Sequence, residues 1–236
     1  MVALKIIVCA ILSYLAGGIQ TSILISKGMH DDIRSHGSGN AGSTNMVRVY
    51  GLKAGLLTFV CDFGKAFLAV GIGCLFNLFI KSSAMLNDLT VYACGLTVVL
   101  GHNYPIFFDF KGGKGVATSF AVVWAVFGLY KGIWIIPILT TVLGIGMLAV
   151  TGIVSVGSIT GAATEFISSV IIFSQIDRFD VGACVLAFIL FALLCLRHTK
   201  NIMRIMKGEE KKLSLKHKNK QVKTDNNSDL SQHTQN

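Results

Sequence analysis

Residues 54–80 read AGLLTFVCDFGKAFLAVGIGCLFNLFI, and this stretch decides the fold class. Its only charged side chains are Asp62 and Lys65. About 20 apolar residues in a helix cross a hydrocarbon core of about 30 Å, so the run is long enough to span a bilayer. Six further apolar runs flank it, at 2–25, 88–100, 116–129, 133–150, 159–173 and 181–196. The third, fourth and sixth of the seven are short, and a tilted or re-entrant form stays open for each. The chain has 236 residues, 53% hydrophobic and 14% charged, with mean hydropathy +0.65. Soluble domains carry roughly 25% charged residues. A β-barrel would need short alternating segments, and none occur here. The expected fold is therefore an all-α, polytopic membrane bundle of about seven transmembrane helices over residues 1–206. Residues 207–236 are polar and basic, with the composition of a disordered tail.

The N-terminal run has no small-residue cleavage site after a short core, which makes it a retained first helix and not a signal peptide. The six cysteines all lie within apolar runs, with no CxxC pair and no spacing suited to zinc. They are expected to be packing residues. Basic residues set the expected orientation. Lys27, Arg34, Arg48, Lys53, Lys111, Lys114, Arg197, Lys200, Arg204 and Lys207 fall on one side of the alternating topology, against Lys5, Lys81, Lys131 and Arg178 on the other. The first side and the C-terminus are then cytosolic, and the N-terminus is outside. The tail lysines Lys211, Lys212, Lys216, Lys218, Lys220 and Lys223 suit anionic lipid headgroups. Nucleic-acid binding lacks the interleaved aromatic residues it would need.

Four polar clusters interrupt the apolar chain, all on the expected cytosolic side. The first is Gly37-Ser38-Gly39-Asn40-Ala41-Gly42-Ser43-Thr44-Asn45 with Arg48. Glycines let the backbone turn so that successive N–H groups face an anion, and Arg48 adds a bidentate fork. The second is Gly101-His102-Asn103-Tyr104-Pro105 leading to Lys111-Gly112-Gly113-Lys114-Gly115 at a helix start, a phosphate cradle with two ammonium groups. It is not a Walker A loop, because Gly115 follows Lys114 where Ser or Thr is required. The third is Ser155-Val156-Gly157-Ser158, and the fourth is Arg197-His198-Thr199-Lys200-Asn201. In the fourth, helical spacing puts His198 and Asn201 on one face and turns Arg197 toward headgroups. Structural readings stand beside these: capping for the first cluster, a structural hydrogen bond for His102, close packing for the third, membrane anchoring for the arginines and lysines. Asp62 and Lys65 are expected to pair, since an unpaired charge inside a membrane costs roughly 2.5–3.5 kcal/mol. Coupled ion transport is the rival use of that pair.

Together these clusters make the chain resemble the bacterial acyl-phosphate:glycerol-3-phosphate acyltransferases, over nearly all of its length up to about Leu213. Gly208-Glu209 extends the fourth motif. The departures are Ser43 where the family usually has Ala, Gly152 where a basic residue is common, and Ala66 where Gly is common. The resemblance implies a seven-helix membrane enzyme of the bacterial inner or plasma membrane with a cytosolic active site. It implies transfer of a fatty acyl group from acyl phosphate to the 1-hydroxyl of glycerol 3-phosphate, the first acylation of phospholipid biosynthesis, without metal or cofactor. The implied partners are the two substrates, the lipid bilayer and the phosphate acyltransferase that supplies acyl phosphate. The His-x4-Asp motif of a different acyltransferase family is absent.

The expected catalytic groups are Ser38, Lys114, His198 and Asn201. Asn40, Asn45 or Asn201 would steady developing carbonyl charge, and His198 or the donor's own phosphate would take the hydroxyl proton. The expected phosphate-binding set is Gly37, Gly39, Asn40, Thr44, Asn45, Arg48, His102, Lys111, Gly112, Gly113, Ser155 and Ser158. A transporter of a phosphorylated solute is the competing class, and it would favour polar residues near the midplane over one membrane border. A purely structural scaffold accounts for none of the four clusters.

Overall fold

The computed structural model describes residues 1–175 and 180–213. Arg178, most of the 207–236 tail and its lysines Lys216, Lys218, Lys220 and Lys223 lie outside the described residues. Within them there is no strand, and every apolar run is helical. The helices are α1 (Val2–Gly18), α2 (Thr21–Gly28), α3 (Ser43–Tyr50), α4 (Leu52–Phe79), α5 (Ala84–Asn103) and α6 (Val116–Val123). There follow α7 (Ile135–Thr151), α8 (Val154–Ser174), α9 (Val181–Arg197) and α10 (Thr199–Met206), and α6 continues into a π-helical segment, Trp124–Tyr130.

Four stretches are long and apolar enough to cross a membrane: Val2–Gly28, Leu52–Phe79, Ala84–Phe108 and Val154–Ser174. The pair α9–α10, bent by 63°, makes a fifth if counted as one span, and Val116–Tyr130 and Ile135–Thr151 are shorter apolar helices. The runs expected at 88–100 and 159–173 are longer than their hydropathy suggested, with 20 and 21 helical residues. The polar residues that hid their ends have partners. Asn87 accepts from Lys5 Nζ at 3.1 Å, and Ser158 Oγ donates to its own helix at Val154 O, 2.8 Å.

The first run is not one straight helix. Ile19 and Gln20 are extended and separate α1 from α2. The carbonyls freed at the break accept from elsewhere: Lys65 Nζ donates to Gly17 O at 3.0 Å and Ile19 O at 3.1 Å, and Gln20 Nε2 donates to Gly17 O and His102 O. Backbone freed inside a membrane protein needs such partners. Lys65 Nζ also stands 2.9 Å from Asp62 Oδ1, off the line of a hydrogen bond, so the expected ion pair is present.

Small residues set the packing. A Cβ on Gly17 would meet Val98 O at 2.1 Å, and one on Gly101 would meet Tyr14 O at 2.1 Å, so α1 and α5 touch backbone to backbone. α7 and α8 do the same, with Gly157 against Gly144 O at 2.6 Å. Without a hydrophobic force between helices in lipid, this close approach is what supplies the dispersion attraction. The core is made of Ala66, Ala69, Val91, Val98, Val122 and Phe127, among others. At the end of the bundle away from the clusters, Lys131 Nζ lies 2.7 Å from both Asp88 and Asp180. Tyr130 and Tyr92 donate to those same carboxylates at 2.8 and 2.6 Å. That knot ties α5, the π segment and α9 together.

Candidate active site

The first cluster is a turn held from inside by one amide. Gly37 and Gly39 have φ of +62° and +70°, a region side chains with a Cβ resist. Asn45, 1% exposed, accepts from Ser38 N at 2.9 Å through Oδ1 and donates through Nδ2 to His36 O at 3.0 Å and Ile33 O at 3.3 Å. All its polar atoms are engaged, so the structure gives Asn45 the task of shaping the turn and leaves it nothing to offer a phosphate. Ser38 stays exposed, Asn40 and Thr44 are half-buried, and α3 starts after Gly42 with no side-chain cap. Arg48 is half-buried and has no hydrogen-bond or ion-pair partner among the described residues.

The second cluster packs directly on the first. A Cβ on Gly113 would lie 2.1 Å from His102 Nε2 and 3.0 Å from Ala41 O, and one on Gly112 would lie 2.0 Å from His102 O. These two glycines therefore permit contact with α5, and Gly113 N donates to His102 O at 3.1 Å. That N–H is not open to an anion, which narrows the cradle expected there. His102, 3% exposed, has Nδ1 2.8 Å from Lys65 Nζ and 3.5 Å from Asp62 Oδ1. It supports the glycine loop from beneath and does not reach the surface as a phosphate ligand. Lys111 is exposed and makes no side-chain hydrogen bond among the described residues, following Asp109 and Phe110 with left-handed φ of 55° and 57°.

Arg197 also departs from its expected place. It donates from Nη2 to Gly113 O at 2.8 Å and Gly112 O at 3.2 Å, and its guanidinium lies 5.1 Å from the Tyr104 ring centre. The chain bends between α9 and α10 exactly beside this contact, which is why the simple helical wheel misplaced it. His198 and Asn201 are both buried, at 3% and 7% exposure. His198 Nδ1 is 2.8 Å from Leu194 O. A carbonyl only accepts, so Nδ1 carries the proton and Nε2 keeps its lone pair.

Lys114 Nζ donates to Asn201 Oδ1, and Asn201 Nδ2 donates to Glu210. The Asn201 amide nitrogen is therefore turned away from Lys114, and one of its two N–H donors is taken by Glu210. Burial pulls the Lys114 ammonium down to about 8, with Arg204, Arg197 and Arg48 pushing the same way against Glu210. Arg48, Lys114 and Arg197, from three clusters, thus share one field with Arg204 beyond them.

Glu210 is the residue of this pocket that sequence reasoning missed. It accepts from Ser155 Oγ at 2.7 Å and Arg204 Nε at 2.6 Å, as well as from Asn201. Burial would raise its carboxyl, but the bonds from Arg204, Ser155 and Asn201 outweigh that and hold it below the usual range. The chain returns because Gly208, φ +71°, ends α10 in a left-handed cap with Glu209 N bonded to Arg204 O. Leu213 N then donates to Gly152 O at 2.7 Å. Packed structure extends past the boundary expected at 206, and the glycine after α10 was the available signal. Ser155 and Ser158 donate to Glu210 and Val154 O, so neither hydroxyl proton is open to a phosphate.

Beside this polar pocket an apolar slot of about 210 Å³ runs between helices. It is lined by Phe59, Val116, Phe120, Leu148, Val154 and Leu194, among others.

A model of the glycerol-3-phosphate acyltransferase family matches residues 7–208. The chain is 39% identical over 212 residues to a glycerol-3-phosphate acyltransferase of Finegoldia magna, covering 89% of this chain and 97% of that one. It is 34% identical over 207 residues to one of Aquifex aeolicus, covering 88% and 98%. A crystal structure of PlsY (YgiH), an integral membrane glycerol 3-phosphate acyltransferase in its glycerol 3-phosphate form, superposes with a TM-score of 0.74. Its identity to this chain is 33%, over 89% of this chain and 96% of that one. The chain belongs to the glycerol-3-phosphate acyltransferase family.

Proposed function

We propose that this membrane acyltransferase moves a fatty acyl group from acyl phosphate to the 1-hydroxyl of sn-glycerol 3-phosphate, releasing inorganic phosphate and lysophosphatidic acid. The observation that carries the reading is adjacency: Val116, two residues after Lys114, and Val154, next to the Ser155 that bonds Glu210, both line the apolar slot. A phosphorylated head with a hydrocarbon tail matches that pairing. Acyl phosphate is a mixed anhydride and already activated, so no acyl-enzyme is needed. The glycerol oxygen attacks the carbonyl, the bond from carbonyl carbon to phosphate oxygen breaks, and phosphate departs with the electron pair. His198 Nε2 takes the hydroxyl proton and returns it to the phosphate.

Arg48, Ser38, Thr44 and the uncapped start of α3 hold one phosphate, and Lys114 holds the other. Gly37, Gly39, Gly112 and Gly113 shape the two loops, with Asn45, His102 and Arg197 fixing them. Asn40, half-buried beside the exposed Ser38, and the second N–H of Asn201 are the amide donors assigned to the carbonyl oxygen. Holding two anions in register supplies much of the acceleration.

The site end of the bundle carries Lys27, Arg34, Lys53, Lys200 and Lys207 besides the pocket cations, against Lys5, Lys81 and Lys131 at the other end. That bias supports a site on the cytosolic face of a bacterial plasma membrane, and an odd number of spans then leaves the N-terminus outside. The test is direct. Purified protein with synthetic palmitoyl phosphate and glycerol 3-phosphate should yield phosphate and lysophosphatidic acid in equal amounts. Equal turnover with acyl-CoA would overturn the donor assignment, and solute flux in sealed vesicles without product would overturn the reaction.

A further inference from the structure

The short helix α10 is built inside out. With 3.6 residues per turn, Asn201 and Arg204 share one side of it, and Met203 and Met206 share the opposite side. The polar side faces the protein. Asn201 is 7% exposed and meets Lys114 and Glu210, and Arg204 Nε donates to Glu210 at 2.6 Å. The apolar side faces away, with Met203 52% and Met206 77% exposed and Ile202 and Ile205 half-buried beside them. A surface helix in water shows the reverse arrangement. Eight residues are also too few to hold a helix in water by themselves. An apolar neighbour on the methionine side removes both difficulties.

Three observations identify that neighbour as the bilayer border. The exposed apolar surface of α9 runs up to Leu196, 67% exposed, so the methionine side continues a surface already in lipid. The 63° bend carries α10 away from the direction of the span and toward the plane of the membrane. Lys200, Lys207, Lys211 and Lys212 are exposed around it, the charge that anionic headgroups attract. Residues 214–236, which follow in the chain, offer Leu215, Val222 and Leu230 as their large apolar side chains and make a poor cover. We propose that α10 docks on the bilayer surface through Met203 and Met206, with anionic headgroups against the lysines, and that this seating holds Asn201 and Glu210 in the pocket. The lipid surface is then a ligand on which the site depends.

The experiment uses the full chain in nanodiscs. Met206→Trp, read as the emission it adds to that of wild type, should be quenched by brominated phospholipid and little by acrylamide. Quenching by acrylamide with no effect of the brominated lipid means a side open to water, and quenching by neither means a side covered by the tail or a second copy. Either result overturns the docking. The coupling is read with palmitoyl phosphate, and that arm alone rests on the acyl-transfer reading above. Wild-type kcat/KM should rise about fivefold when an anionic phospholipid replaces a quarter of a zwitterionic one, the effect of one lysine at the surface. Lys200→Gln, Lys207→Gln, Lys211→Gln and Lys212→Gln together should flatten that response. Met203→Ser with Met206→Ser should lower kcat/KM about tenfold at unchanged thermal melting, since both side chains point away from the bundle. A lipid response that the lysine variant keeps, or a methionine variant with the wild-type rate, overturns the coupling. If no acyl phosphate is turned over, the acyl-transfer reading fails by itself. Hydrogen exchange of residues 199–213 then decides the coupling: slower on anionic than on zwitterionic lipid supports it, and equal rates refute it.

Discussion

Lys114→Met removes one ammonium while keeping the length of the stem, and the structure sets how much that should cost. Lys114 is half-buried, donates to Asn201, and lies in the field of Arg48, Arg197 and Arg204. A hydrogen bond from a charged group contributes about 1.5–3 kcal/mol, so kcat/KM should fall roughly 10- to 150-fold. The pH profile carries a second signature. Burial holds the Lys114 pKa at about 8, so the ammonium is charged below that pH and neutral above it. Attraction for a phosphate dianion is then lost as pH rises, and wild-type kcat/KM, which reports the free enzyme, should decline through about pH 8. The substrate phosphate completes its own ionisation near about pH 6 and does not interfere. Lys114→Met should lack this limb and show thermal stability close to wild type. The assay is initial-rate phosphate release across pH 6.5 to 9.5, with glycerol 3-phosphate varied. If Lys114→Met keeps the alkaline decline, or retains nearly full activity, Lys114 does not hold a substrate phosphate.

Three further substitutions test the rest of the site. Arg197→Lys cannot span the Gly112 and Gly113 carbonyls as a guanidinium does, and KM should rise about tenfold with little change in folding, measured by substrate titration. Gly113→Ala places a methyl where His102 Nε2 stands, so unfolding should occur about 1–3 kcal/mol more easily, read from denaturant melts in detergent. Glu210→Ala leaves Ser155, Asn201 and Arg204 without their common acceptor, so residues 207–213 should gain hydrogen-exchange rate and activity should fall at least about tenfold. Unchanged exchange in that segment would show that Glu210 is not what folds it back.

The sequence was enough to establish a helical membrane bundle and the convergence of four polar clusters at one end of it. Both follow from local physics. A 27-residue apolar run has few alternatives to a helix in lipid, and alternating spans deliver every second connection to the same side. Glycines beside Ser and Asn likewise marked a tight turn before any packing was known, and Gly37 and Gly39 take the left-handed φ that it requires. Individual side-chain roles were another matter. Asn45 and Asn40 look equivalent in the sequence, yet only Asn45 is enclosed by the carbonyls of Ile33 and His36. Ser155 looked open and is taken by Glu210, which stands far off in the sequence. His102 looked like a surface ligand and lies beneath the glycine loop on Lys65. Arg197 was misplaced because a helical wheel has no knowledge of the bend that follows it. These distinctions arise from contacts between residues far apart in the chain, such as Arg197 with Gly113. Residue type and spacing can say which groups gather at a surface, but only the packed structure says which of them are already satisfied and which remain for a substrate.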